Sequence, residues 1–324
     1  MIQKTLIALL VGACGLMSLA AWSQEGNFPS RPIRMIVPVP PGGTVDIVTR
    51  VVAQKMTEVT GQSVVIDNRG GAFTIIGSEI VARAPADGYT LLSNTLPLVV
   101  NPSLFAKLPF DVVRDFAPIS LVASAPFVLA VHPSVPAKTA ADLVTLAKAK
   151  PGALKYGSSG SGSNLHVAAE LFRMLTGTDI SHVPYRGGGP ALISLLGGET
   201  QLCFLSLIAT APHIKGGRLR GLGITTLKRS PVLPELPPLA ESGAPGYEFS
   251  SWVGVLAPAQ TPPRIVAVLN GFIVKALQLP GVTERFAGEG AEIVAGSPAE
   301  FRAHLGSELK RWARVVKETG MRPD

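Results

Sequence analysis

The sequence predicts an α/β protein of two domains, and three observations carry that prediction. Short β-branched apolar runs alternate with segments of helical periodicity, as in strand–helix–strand units. About 300 residues remain once an N-terminal leader is set aside, enough for two ordinary domains. Two glycine-rich turns stand immediately before helical segments, where parallel α/β folds place their ligand loops.

The elements follow in order. Lys4 is succeeded by an apolar run from Thr5 to Ala21, then by Ala21-Trp22-Ser23 and the polar Gln24. This order of charge, apolar core and small residues predicts a cleaved export signal over residues 1–23. A lipid anchor on Cys14 is disfavoured because the apolar run continues past it to Trp22. A strand is expected from Ile33 to Val39, stopped by Pro40-Pro41-Gly42-Gly43. Thr44 is expected as a helix cap, with Val45, Val48, Val52 and Met56 marking the buried stripe up to Gly61. Val64–Asp67 reads as the next strand, Ile75–Arg83 as a short helix and Thr90–Ser93 as a buried strand. A second set runs through the strand Phe127–Val131, the helix Ala140–Lys150, the strand Lys155–Tyr156 and the helix Asn164–Thr176. From Thr261 the pattern is mainly helical, ending in an amphipathic run over Pro298–Thr319. Phe127–His132 and Ser251–Ala257 are both extended, and a pairing between them is expected where the chain crosses between domains. The strand–helix alternation argues for parallel sheets.

Composition narrows the function. Losing residues 1–23 removes only Lys4 among charged groups, so the formal charge of +7 falls by one. The basic excess is dispersed and lacks an aromatic-interleaved stripe, which argues against nucleic acid and suits an acidic ligand. Cys203 would be the single mature cysteine, between Leu202 and Phe204, and is read as a buried apolar residue. Among His132, His166, His182, His213 and His304 no spacing matches a metal pair, so neither metal nor cofactor is expected.

The candidate chemistry lies in loops. Pro41-Gly42-Gly43-Thr44-Val45-Asp46 and Gly157-Ser158-Ser159-Gly160-Ser161-Gly162-Ser163-Asn164 each precede a helix. Unpaired N–H groups and the positive end of the dipole make such helix starts anion sites. Hydroxyls of Ser158, Ser161 and Ser163 add adjustable donors. The second loop fits no common catalytic signature. It lacks the lysine of a phosphate loop, the flanking glycines of a nucleophile elbow, and the third glycine of a dinucleotide fingerprint, where Leu165 stands. His166 sits one turn into the following helix, and Tyr185 and Arg186 occupy a third glycine-rich segment, His182 to Gly189. The main reading is a receptor; the alternative is a secreted hydrolase using the Ser158–Ser163 loop with His166.

Several motifs resemble the solute-binding proteins of the tripartite tricarboxylate transporter family, also called Bug receptors. They are Pro29-Ser30-Arg31-Pro32-Ile33, Pro41-Gly42-Gly43-Thr44-x-Asp46, Pro85-Ala86-Asp87-Gly88-Tyr89-Thr90-Leu91, Asn101-Pro102-Ser103-Leu104, Asp115-Phe116-Ala117-Pro118, Tyr156 to Gly162, His182-Val183-Pro184-Tyr185, Ser251-Trp252-x-Gly254 and Trp312-x-x-Val315-Val316. The resemblance spans the mature chain in order. It implies a type II periplasmic binding-protein fold, with two α/β domains joined by a hinge: residues 24–126 plus 252–324, and residues 127–251. It further implies a carboxylate ligand held by Pro41, Gly42, Gly43, Thr44 and Asp46 from one side. The opposite side would supply Ser158, Gly160, Ser161, Gly162, Ser163, His166 and Tyr185. A monomer is expected, with a membrane transporter or sensor as the partner. Three departures from the family pattern bear on the ligand: Leu205 in place of an acidic residue, Phe73-Thr74 in place of Gly-Gly, and Val39-Pro40-Pro41 in place of an aromatic-Ala-Ala run. Losing a carboxylate and gaining apolar bulk disfavours a cationic ligand end, whose unpaired burial costs several kcal/mol. An aromatic or otherwise apolar carboxylate is therefore expected.

Overall fold

The computed structural model describes residues 28–42, 44–288 and 290–323. The expected leader and Gly43 lie outside the described residues. The described strands are β1 (Ile33–Val37), β2 (Val64–Asn68), β3 (Thr90–Asn94), β4 (Phe116–Val131), β5 (Lys155–Ser158), β6 (Ser181–Pro184), β7 (Leu202–Ser206), β8 (Arg220–Ile224), β9 (Ser250–Pro258) and β10 (Glu292–Ile293). The helices are α1 (Thr44–Thr60), α2 (Ile75–Ala82), α3 (Pro97–Leu104), α4 (Ala140–Ala149), α5 (Asn164–Thr176), α6 (Gly188–Leu196), α7 (Leu207–Lys215), α8 (Leu239–Ser242), α9 (Pro263–Leu277), α10 (Val282–Gly288) and α11 (Pro298–Thr319). Among the described residues no helix is long and apolar enough to cross a membrane.

The strands run in the order β2-β1-β3-β9-β4-β7-β5-β6, with β8 and β10 also on β4. The 16-residue β4 belongs to two sheets. Its first part, Phe116–Pro126, pairs with β9 and β10, while Phe127–Val131 pairs with β7 and β8. The expected pairing of Phe127–His132 with Ser251–Ala257 is therefore corrected: Ser251–Ala257 lies against Ala117–Ala125. Apolar alternation shows that both segments are extended but carries no register between distant strands. The expectation of parallel sheets also holds only in part. β1 is parallel to β2 and β3, and β5 to β6 and β7, but β4 and β9 are antiparallel to every partner.

Local chemistry accounts for the elements. In β1, Ile33, Met35, Ile36 and Val37 are fully buried, as strands covered on both faces require. Pro38, which has no N–H to donate, follows the last strand residue and ends β1 two positions before the expected Val39. Thr44 is the first residue of α1 rather than its cap. α11 starts on a capping box of Ser297 and Glu300 and stops at Gly320 in the left-handed conformation. This helix packs on β4, α3 and α5, so it contacts elements attached to both sheets.

Candidate functional site

Both glycine loops leave the carboxyl ends of parallel strands, β1 and β5, the edge at which open α/β sheets bind ligands. Each loop is braced from within. In the first, Gly42 has φ of +90° and its N–H donates to Asp46 Oδ2 at 2.9 Å. The same carboxylate receives Arg50 Nε at 2.9 Å and Asn68 Nδ2 at 2.8 Å, and Asn68 also reaches the Val39 carbonyl. Burial pushes the Asp46 carboxyl up, but hydrogen bonds from Arg50, Gly42 and Asn68 outweigh it and hold the group below the usual carboxylate range. Asp46 is thus a structural brace, and the Gly42 N–H is committed to it.

The second loop follows the same design. Gly160 and Gly162 have φ of +104° and +71°, conformations that favour glycine. The Gly160 N–H donates to Ser158 Oγ at 3.1 Å and the Gly162 N–H to His166 Nδ1 at 3.0 Å. Ser163 caps α5 by accepting from the His166 N–H. Gly42, Gly160 and Gly162 shape the loops, then, and first-turn N–H groups of α1 and α5 other than that of His166, which have no intrahelical acceptor, are the donors such helix starts offer a ligand.

Both helix starts reach Ser251 of β9. Thr44 of α1 lines a narrow crevice with Ser124 and Ala125 of β4 and Ser251 and Val253 of β9. Asn164, the first residue of α5, donates from Nδ2 to Ser251 Oγ at 2.8 Å, while its Oδ1 is buried without a partner. Nearby, a Cβ placed on Gly162 would stand 2.5 Å from Leu104 Cδ1 and 4.0 Å from Asn101 Oδ1. Asn101 Oδ1 and Thr74 Oγ1 are also buried and unpartnered, which marks a polar seam fit for water or a ligand.

The seam has an aromatic side. Ala72, Phe73 and Thr74 take φ of +45°, +54° and +73°, three successive non-glycine residues in the left-handed region. Each costs about 1–2 kcal/mol. Asn101 Nδ2 holds the Phe73 carbonyl at 2.8 Å. The Phe73 ring lies 5.6 Å from Phe105, with Cε1 3.7 Å from where a Cβ on Gly160 would be. Backbone strain of this kind collects at binding sites.

Other expected residues fall in different places. Tyr185 is half-buried, and its N–H donates to the Ser158 carbonyl. Arg186 is exposed. Leu205 is 2% exposed and paired with Val128 inside the core, rather than at the crevice lined by Thr44 and Ser251. Cys203 is buried, and burial pushes its thiol up to about 12. Ser158, the serine named first for the hydrolase alternative, has its Oγ 2.6 Å from His182 Nε2 rather than on His166, whose Nδ1 accepts the Gly162 N–H. Sequence reasoning named Asn164 only as the end of its loop and did not single out Ser251, Asn101 or Thr74 as candidate site residues. Polar residues next to apolar strand and helix positions were the available signal.

Two α/β sheets sharing a strand, with glycine loops at the carboxyl ends of β1 and β5, are an arrangement suited to small-ligand binding proteins. The family model described as "Tripartite tricarboxylate transporter family receptor" matches residues 48–321. Protein BugT of Bordetella pertussis is 40% identical over 97% of this chain and 96% of its own length. A Rhodopseudomonas palustris protein solved with adipate superposes with a TM-score of 0.83 at 39% identity, covering 92% of this chain and 100% of that one. MatC of R. palustris, solved with malate, gives 0.80 at 30% identity over 89% and 100%. The chain belongs to the tripartite tricarboxylate transporter receptor family, whose members are periplasmic solute-binding receptors and not enzymes.

Proposed function

We propose that this chain is exported through a cleaved leader and captures a small carboxylate in the periplasm. The ligand is an aromatic or largely apolar organic acid, held for uptake through a membrane transporter or for sensing. The observation that carries this reading is the convergence of the α1 and α5 starts at Ser251, with the unpartnered Asn164 Oδ1 beside it. The adipate- and malate-bound relatives support a carboxylate, and the Phe73–Phe105 pair supports an apolar body. Residues 24–126 with 252–324 form one closing body and residues 127–251 the other, since β4 changes partners between Pro126 and Phe127. The ligand lies between the Pro41–Asp46 loop and the loop containing Ser158, Gly160, Ser161, Gly162 and Ser163, near Tyr185.

A thermal-shift screen tests this with benzoate, phenylacetate, adipate, malate, citrate and an aliphatic amino acid. An acid present at about 100 times its Kd adds about 2.7 kcal/mol, a rise of roughly 5–10 °C. An aromatic acid should rank first and be recovered unchanged. Citrate or an amino acid outranking every aromatic acid would sink the ligand assignment, and recovery of a cleaved product would sink the receptor reading.

A further inference from the structure

Beneath the second glycine loop lies a buried polar stack whose arrangement exceeds what capping α5 requires. His166, 4% exposed, accepts the Gly162 N–H on Nδ1 at 3.0 Å. Its Nε2 faces Glu170 Oε1 at 3.8 Å. The backbone N–H is only a donor, so Nδ1 must carry the lone pair and Nε2 the proton. The ring stacks on His182 with centroids 4.1 Å apart and planes within 5°. His182 Nε2 meets Ser158 Oγ at 2.6 Å, and that hydroxyl in turn accepts the Gly160 N–H. Both positive-φ glycines of the loop are therefore tied to one imidazole stack.

We propose that His166 is the positioning residue of this loop, holding it in its carboxylate-receiving shape only while the imidazole is neutral. Protonation would convert Nδ1 into a donor pointed at the Gly162 N–H and charge a ring stacked 4.1 Å from a second imidazole. Glu170 of α5 is already occupied by Tyr156 of β5 and, through both oxygens, by Arg173. Asp179 acts on Arg173, and α3 presents only Leu104 and Asn101 to Gly162. Glu170, which faces Nε2, could meet a new positive charge there only by weakening its bonds to Tyr156 and Arg173. Carboxylate capture should therefore weaken as pH falls through the range in which imidazoles titrate, about pH 8 to pH 5.

The inference rests on the reading of this loop as the ligand anchor, so the test has one arm free of ligand. In nitrogen-15-labelled protein, the Gly162 amide and the His166 ring nitrogens are followed from about pH 8 to about pH 5.5. The two should move with one midpoint. Calorimetric titration with benzoate, whose carboxyl stays ionised over this range, should show affinity falling about tenfold in the native protein. His166→Asn presents an amide oxygen to Gly162 at every pH and should vary less than about twofold. A Gly162 amide that ignores the ring, a ring that stays neutral throughout, or an Asn variant with the native pH slope would each overturn the proposal. Absence of benzoate binding at pH 8 contradicts the aromatic-acid reading instead, and the spectroscopic arm then decides the role of His166.

Discussion

At the scale of single residues, Asp46 shows how a residue of a family motif can be spent on bracing the loop that carries it. The residue is 1% exposed, and its oxygens hold Gly42, Arg50 and Asn68. Because its folded carboxyl is held below the ordinary value of 3.8, its contribution is present above that pH and lost as pH falls through the folded value. Denaturant titrations of Asp46→Asn should show a full stability loss at about pH 6 that shrinks steadily below about pH 4. A loss independent of pH would contradict the assignment. Phe73 makes a second case. Phe73→Gly relieves a left-handed non-glycine residue worth about 1–2 kcal/mol but loses the aromatic contact with Phe105, worth about 0.5–1.5 kcal/mol. Stability should change by less than about 1 kcal/mol, while benzoate affinity in a calorimetric titration falls about tenfold. The positive-φ glycines were legible because few other residues accept that backbone. The bracing of Asp46 was only half legible: Arg50 follows it at i+4 on α1, but Asn68 meets it only through the parallel pairing of β1 and β2.

At the scale of elements, α11 and β9 interlock. Gly254 has no room for a side chain: a Cβ there would stand 2.1 Å from Phe301 Cζ, at the foot of α11. Gly254→Ala should destabilise by about 1–3 kcal/mol or more in urea unfolding, since overpacking forces backbone shifts. Further along α11, Glu308 is 7% exposed and accepts from Trp312 Nε1 at 2.8 Å and from Trp252 Nε1 at 3.2 Å. Glu308→Ala strands two buried indole donors and should cost about 2–4 kcal/mol by the same measurement. A loss within about 0.5 kcal/mol, typical of a surface site, would show that the two tryptophans do not depend on it. The amphipathic stripe of Pro298–Thr319 announced α11, and Asn164–Thr176 matched α5 to the residue. The length of β4 was hidden because Pro118 and Pro126 interrupt its pattern, and its change of partners depends on strands more than 70 residues away in sequence.

At the scale of the molecule, one observation ties the levels together. A strand that serves two sheets pairs with β9, and Ser251 of β9 both accepts from Asn164 at the start of α5 and lines a crevice with Thr44 at the start of α1. The two glycine loops were visible in the sequence as separate turns. That they face one ligand came only from the family resemblance, because no local pattern carries the pairing of β4 with the distant β9. The most direct test is a crystal structure of the chain with the acid that gives the largest thermal shift. The account predicts the carboxylate beside Thr44, Asn164 and Ser251, with its oxygens about 2.7–3.2 Å from first-turn N–H groups of α1 and α5. A carboxylate bound elsewhere, such as the groove of about 510 Å³ lined by Phe105, Lys107, Arg114 and Leu309, would contradict it.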